Sequence, residues 1–235
     1  MNNELRAIMK KHLRMLYICL GTFALVQSGF AQSFQNLDFE AAHNIPVFNP
    51  QAHPWSMPAA NALPGWTCYI ESNVTSTVFY NDVALDSAQI GLQASDSPYP
   101  PNGLLEGQYC ASLQSGVIGF SGTGLIYGTV TIAQLGEIPF DAQSIRFTGN
   151  APFAVTIDGN AIPMLLLDVQ SGYNVYSGDI GQFAGQVGEL SFTSYGHFGY
   201  LDSIQFSSQA VPEPSTSTLI LIGAGVLWRF RARST

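Results

Sequence analysis

The feature that most constrains the fold of this chain is that residues 32–208 contain no sustained apolar repeat of 3.6 residues. Short runs rich in Val, Ile, Thr, Tyr and Phe occur instead, and Gly, Pro, Asn or Asp separates them. Such runs are typical of β-strands bounded by turns, and they predict about eight to eleven strands. We therefore expect an all-β, two-sheet antiparallel β-sandwich of the jelly-roll type.

The strand candidates can be placed individually. Asp158, Gly159 and Asn160 separate two of them and predict a tight hairpin, because these residue types tolerate positive φ. The stretch 43–63 carries several prolines and little pattern, so we expect a long surface loop there. The strand candidates are 66–71, 77–80, 89–93, 108–114, 126–134, 144–148, 153–157, 164–167, 173–176, 189–193 and 199–206.

The N-terminus has the pattern of an export signal. Lys10, Lys11 and Arg14 precede an apolar run over 15–26, which is shorter than the ~20 residues that span a bilayer and suits a signal peptide. Small residues at positions 29 and 31 predict cleavage by signal peptidase after Ala31. The expected division is a signal peptide over 1–31 and a sandwich domain over 32–208; the alternative is an uncleaved N-terminal anchor.

The C-terminal segment 209–235 has three parts: a proline-containing motif, a hydrophobic stretch over 218–228 and a basic end at Arg229, Arg231 and Arg233. The arginines are expected to stay on the cytoplasmic side of a membrane. The apolar stretch is short for a permanent anchor, which favours transient insertion into the inner membrane. The motif consists of Val211, Pro212, Glu213, Pro214, Ser215 and Thr216.

This three-part tail resembles the PEP-CTERM sorting signal of exosortase substrates. The resemblance implies processing by an exosortase near the Pro-Glu-Pro motif. It also implies a Gram-negative bacterium, an inner-membrane intermediate, and final placement at the cell surface or in the extracellular matrix. A plain C-terminal tail anchor is the alternative.

Charge excludes one class of partner. Residues 32–210 contain one basic residue, Arg146, against fourteen acidic residues, a net charge of −13 with histidine neutral. Such a domain repels phosphate backbones, so nucleic-acid binding is excluded.

The mature domain keeps two cysteines, Cys68 and Cys110, each in a strand candidate. An even pair in an exported protein predicts a disulfide, which would contribute about 4 kcal/mol by constraining the unfolded chain. Two buried free thiols are the alternative.

Short motifs at both ends of the domain point to a metal site. The opening segment 36–40 (NLDFE) and the closing segment 200–206 (YLDSIQF) resemble the first and last strands of galactose-binding-like and carbohydrate-binding jelly rolls. The resemblance implies a structural Ca²⁺ ion held by Asp38, Glu40 and Asp202, whose carboxylates are the hard oxygen ligands that Ca²⁺ requires. Solvated carboxylates or turn formers are the alternative.

The same resemblance makes extracellular polysaccharide a candidate partner. Sugar rings stack on exposed aromatic planes, and Trp55, in a loop-like stretch, is the best candidate for such a contact. Tyr80, Tyr99 and Tyr195 are further candidates, although packing is the more common role of any one aromatic residue.

Catalytic motifs are lacking in the sequence. Residues 119–123 (GFSGT) miss the last glycine of a nucleophile elbow, and no phosphate-binding loop is present. We therefore expect an exported, non-catalytic protein with a structural or adhesive role, for which carbohydrate binding is a candidate basis. The alternative is a secreted glycoside-active enzyme that uses paired carboxylates.

Overall fold

A computed structural model of the chain describes residues 32–46, 56–97, 106–196 and 198–211. The predicted signal peptide, the aromatic candidates Trp55 and Tyr99, and the sorting tail beyond Val211 lie outside the described residues. So do the hydrophobic stretch over 218–228 and the basic end at Arg229, Arg231 and Arg233.

The described ranges fold into sixteen β-strands with very little helix. A one-turn helix, α1, spans Ala59–Ala62, and a 3₁₀ turn spans Gly181–Phe183. In these ranges no helix is long and apolar enough to cross a membrane. The strands are β1 (Ser56–Pro58), β2 (Thr67–Ile70), β3 (Asn73–Val74), β4 (Thr77–Tyr80), β5 (Gln89–Ala94), β6 (Tyr109–Gln114), β7 (Gly116–Ser121), β8 (Gly124–Gly128), β9 (Val130–Glu137), β10 (Ser144–Gly149), β11 (Ala154–Ile157), β12 (Asn160–Ile162), β13 (Met164–Val169), β14 (Asn174–Asp179), β15 (Val187–Ser194) and β16 (Phe198–Ser207).

The strands form two large sheets and one hairpin. The larger sheet has the order β1-β4-β5-β6-β16-β10-β14-β13, the smaller has the order β12-β11-β15-β9-β2-β3, and β7 pairs with β8. Among the strands of the described ranges, only β4 and β5 pair in parallel. The consecutive strands β15 and β16 belong to different sheets, so the chain passes from the smaller sheet to the larger sheet between them. The predicted all-β, two-sheet sandwich is confirmed.

Aromatic side chains join the two sheets. Phe192 on β15 meets Phe147 on β10 edge to face, with ring centroids 5.4 Å apart, and Trp66 lies 6.1 Å from Phe192. All three are buried. The indole N–H of Trp66 donates to the carbonyl of Asn36 at 3.0 Å, so a buried donor is satisfied. Burial of each ring contributes about 1.5–3 kcal/mol or more to folding.

The predicted hairpin is confirmed in detail. β11 and β12 pair with Ile157 opposite Asn160, which leaves Asp158 and Gly159 as a two-residue turn. Their φ values are +48° and +73°, as a type I′ turn requires. The Asp158 carboxylate also accepts the backbone N–H of Glu189 at 2.8 Å, which ties the turn to β15.

Three local expectations are wrong. The run 126–134 is divided between β8 and β9 at Thr129, and β7 was not predicted. In the proline-containing stretch expected to be a surface loop, residues 56–62 form β1 and α1, and Met57 and the following Leu63 are buried. They do so because β1 pairs with β4, with Met57 opposite Val78.

The predicted disulfide is also wrong: Cys68 and Cys110 are buried free thiols. Cys68 on β2 faces the main core. On β6, Ala111 faces that core, and Cys110 therefore points to the opposite face of the larger sheet, where it packs against Tyr200. The larger sheet thus lies between the two sulfur atoms. Burial raises the pKa of Cys68 to about 12 and that of Cys110 well above its ordinary value.

The type I′ turn generates a stability prediction. Gly159→Ala should destabilise the fold by about 1–2 kcal/mol, because an L-residue with a Cβ strains at positive φ, although no atom lies within 4 Å of the added carbon. Gly119→Ala in β7 is the matched control, since its Cβ also meets open space and its φ is ordinary; the change should stay within about 0.5 kcal/mol. Urea unfolding of both variants measures the difference, and equal effects would contradict the assignment of strain to φ.

Candidate functional site

The larger of two described cavities is an acidic pocket of about 580 Å³. It lies where the opening segment meets the second half of β16 and the residues just before β6. Its lining contains three carboxylates and no basic side chain. The lining residues are Phe34, Asn36, Leu37, Asp38, Glu40, Glu106, Gly107, Ser203, Ile204 and Gln205.

A tight turn in the opening segment places Asp38 and Glu40 at this pocket. Asn36 and Phe39 have φ values of +51° and +59°; Asn tolerates this region, whereas it is uncommon for Phe. The Asn36 side chain accepts the N–H of Ala41 at 2.9 Å. The Phe39 ring is fully buried and lies 5.9 Å from the Trp66 ring. Core packing of Phe39 therefore holds the turn that presents the two carboxylates.

A β-bulge in β16 forms the opposite side of the pocket. Against β10, Asp202 pairs with Thr148 and Gln205 pairs with Arg146. Three steps along β16 thus match two along β10, and Ser203 takes a φ of +51°. Bulges of this kind redirect side chains. The Ser203 hydroxyl donates to the Glu106 carboxylate at 2.7 Å.

Glu40 connects the opening segment to β6. One oxygen, Oε1, accepts the backbone N–H groups of Gln108 at 2.7 Å and Tyr109 at 2.9 Å. Gly107 lies so close that a Cβ there would fall 2.3 Å from the same oxygen, and its φ is +101°. Glycine is therefore required at position 107. The other carboxylate oxygen of Glu40, Oε2, takes no part in the two hydrogen bonds to Gln108 and Tyr109.

Asp202 lies fully buried beneath the pocket. Its Oδ1 accepts the N–H of Ser203 at 2.7 Å and its Oδ2 accepts the N–H of Glu106 at 3.2 Å. Burial raises the pKa of Asp202 to about 7, and the charges of Glu40 and Glu106 add to this rise, while the two backbone hydrogen bonds oppose it. This carboxyl group therefore titrates near neutral pH.

The three residues predicted to hold a metal thus come together around one pocket, although Asp202 lies below its lining. The sequence analysis assigned no role to Glu106, although it stands next to Gly107, a glycine directly before the strand candidate 108–114. Within the residues that the structure describes, no group of three or more His, Cys, Asp or Glu side chains is arranged to hold a metal ion. Of the other aromatic candidates, Tyr80 is buried and Tyr195 is 57% exposed.

The titration of Asp202 gives a prediction about stability. The ordinary pKa of the group is 3.8, so between pH 3.8 and about 7 the unfolded chain releases a proton that the folded protein keeps. The free energy of unfolding should therefore fall as pH rises through this window and level off above it.

Asp202→Asn should remove this part of the pH dependence, because the amide does not ionise. Asp141→Asn, which changes an exposed carboxylate away from the pocket, is the control and should keep it. Urea unfolding between pH 4 and pH 8 tests the comparison, and equal slopes in the wild type and Asp202→Asn would contradict it.

Comparison with known proteins identifies the C-terminal segment. A family model described as the PEP-CTERM protein-sorting motif matches residues 210–233. No curated protein matches the chain. One similar solved structure is the K1 cleaved adhesin domain of Lys-gingipain from Porphyromonas gingivalis W83, at 14% identity and a TM-score of 0.36, covering 67% of this chain and 98% of that domain. That similarity is too weak to support a conclusion about function. The family match confirms the resemblance of the tail, and the chain is an exported protein that carries a PEP-CTERM sorting motif.

Proposed function

We propose that this chain is a non-catalytic protein of a Gram-negative cell surface or extracellular matrix, with a structural or adhesive role that includes binding to extracellular polysaccharide. The observation that carries the proposal is the sorting motif over residues 210–233. In the proposed route, signal peptidase cleaves after Ala31, the tail inserts transiently into the inner membrane, and an exosortase processes the chain near Pro212–Pro214. Trp55 remains a proposed polysaccharide contact.

The end of the folded domain supports this route. β16 ends at Ser207, whose carbonyl accepts the N–H of Gln143 at 2.7 Å. Two residues later the carbonyl of Gln209 accepts the Ser144 hydroxyl at 2.7 Å. The chain is thus held to the sandwich until one residue before the matched segment begins. A processing enzyme would meet the motif directly beside a fully folded domain.

The acidic pocket is better suited to structure than to catalysis. A carboxyl group with a pKa of about 7 has a value suited to a general acid. However, Asp202 is fully buried, and each of its oxygens accepts a backbone N–H. Such a group is poorly placed to exchange a proton with a substrate. This arrangement disfavours the alternative of a glycoside-active enzyme with paired carboxylates.

We further propose that the pocket takes a structural Ca²⁺ ion. Asp38, Glu40 and Asp202 would supply hard oxygen ligands, and Glu106 is a fourth carboxylate at the same place. The ion would balance negative charges that are now close together and would hold the opening segment against β16. Its binding requires the carboxylates to turn toward one centre, since they are not so arranged in the structure.

The sorting proposal is tested by replacing Pro212, Glu213 and Pro214 together with alanine. We expect most of the protein to remain in the inner-membrane fraction at its unprocessed mass, because the processing enzyme no longer finds its motif. Ser208→Ala, an exposed change in the spacer, is the control and should leave localisation unchanged. Cell fractionation with mass spectrometry provides the measurement, and normal surface delivery of the triple variant would refute the proposal.

The calcium proposal predicts a melting temperature that is higher in Ca²⁺ than in EDTA, because an ion that binds only the folded state stabilises it. The difference should be larger at pH 8 than at pH 6, since protonated Asp202 competes with the metal. Asp38→Asn should reduce the Ca²⁺-dependent shift in melting temperature, and its side-chain oxygen can still accept the Glu40 N–H. The control Asp141→Asn should leave the shift unchanged. Identical melting in Ca²⁺ and EDTA at both pH values would exclude the ion.

A further inference from the structure

A second cavity, of about 290 Å³, lies at the end of the sandwich where β16 begins. It is close to the lower limit of ligand pockets, about 300–1,000 Å³. We call it the tyrosine cleft. Four separate connections between strands contribute to it. The lining residues used below are Asp86, Ser115, Gly116, Tyr127, Thr129 and Tyr195.

The two tyrosines of the cleft are its most unusual feature. Tyr127, on β8, is 68% exposed, and Tyr195, in the turn between β15 and β16, is 57% exposed. They come from distant parts of the chain, yet the neighbouring residues Ser194 on β15 and Val130 on β9 are paired, which brings the two segments together. Core packing does not account for two large aromatic rings that are exposed at the same cleft. Tyrosine is an effective contact residue because its ring is rigid and its hydroxyl is polar.

Two residues with hydrogen-bonding side chains line the same cleft. They are the exposed Asp86 and Thr129, whose hydroxyl donates to the Glu71 carboxylate at 3.4 Å. A carboxylate accepts strong hydrogen bonds from hydroxyl groups. At Gly116 a Cβ would lie 2.4 Å from the carbonyl oxygen of Asp86, so only glycine permits the approach that brings Asp86 to the cleft.

The position of the cleft agrees with a role in contact with the surroundings. From Phe198 to Ser207 along β16, the chain advances about 30 Å. The cleft adjoins the first end of this strand, and the sorting tail leaves beyond the second. The cleft and the point at which the described chain ends, Val211, therefore lie toward opposite ends of β16.

We infer that the tyrosine cleft binds a sugar ring of a neutral polysaccharide, with Tyr127 and Tyr195 stacking on its C–H faces and Asp86 accepting hydrogen bonds from its hydroxyl groups. The inference rests on the proposed function and adds a site and a ligand class to it. Neutral chains are favoured because the domain carries a net charge of −13 and would repel acidic ones. The alternative occupant is a protein partner, since the neighbouring hairpin exposes Phe120 and Leu125.

Affinity electrophoresis of the full chain in non-ionic detergent tests this inference. The gels contain galactomannan, dextran, β-glucan or alginate, or exopolysaccharide extracted from the producing cells. We expect retardation by at least one neutral polymer and none by alginate. Tyr127→Ala and Tyr195→Ala should each weaken it about tenfold, as expected for an aromatic contact at the centre of a binding site. Tyr127→Phe should retain most of the binding.

Phe140→Ala is the matched control, because Phe140 is an aromatic residue that is 86% exposed and lies outside the cleft; it should bind like the wild type. Melting temperatures check that each variant is folded. Lack of retardation in every gel, or equal retardation of all variants, would overturn the inference. So would a change in oligomeric state without a change in retardation, which would indicate a protein contact. Localisation of the same variants separates these outcomes from a failure of sorting, since the triple alanine variant of the motif should alter delivery alone.

Discussion

The edge-to-face contact between Phe192 and Phe147 is the interaction on which the rest of the structure depends. It joins β15, a central strand of the smaller sheet, to β10, an interior strand of the larger one, and Trp66 packs against the same ring of Phe192. A sandwich exists because each sheet has one apolar face that must be covered. With the sheets fixed in this way, the ends of the strands are fixed as well. The tyrosine cleft lies at such an end, and the acidic pocket lies against the second half of β16.

The opening turn and the bulge of β16 show how local strain is maintained by distant packing. Phe39 and Ser203 both have positive φ values, which isolated residues of these types disfavour. The buried ring of Phe39 holds the turn, and the Ser203 hydroxyl bonded to Glu106 supports the bulge. The result is a set of carboxylates close to one another, one of which, Asp202, has a pKa near neutrality. A divalent cation would relieve this repulsion, which is the physical basis of the calcium proposal.

The direction of β16 gives the molecule two unlike ends. The chain continues toward the sorting motif from the end of this strand and the acidic pocket lies against its second half, whereas the tyrosine cleft lies near its beginning. For a protein delivered through its tail, this polarity separates the part handled by the processing enzyme from the part available to a ligand. The sorting proposal and the sugar-binding proposal can therefore fail independently, because no residue of the tyrosine cleft belongs to the tail.

The sequence by itself determined the fold class, the Asp158–Gly159 turn and the sorting tail, because strand alternation, positive-φ residues and a three-part signal are local patterns. Motifs at the two ends of the domain also identified Asp38, Glu40 and Asp202 as candidate metal ligands. Only the tertiary structure decided which faces these strands present. Cys68 and Cys110 do not meet because their side chains lie on opposite sides of the larger sheet, which depends on sheet membership and register rather than on spacing. Tyr127 and Tyr195 come together, and Glu106 joins the acidic pocket, for the same reason: pairing between residues far apart in sequence is set by the whole core.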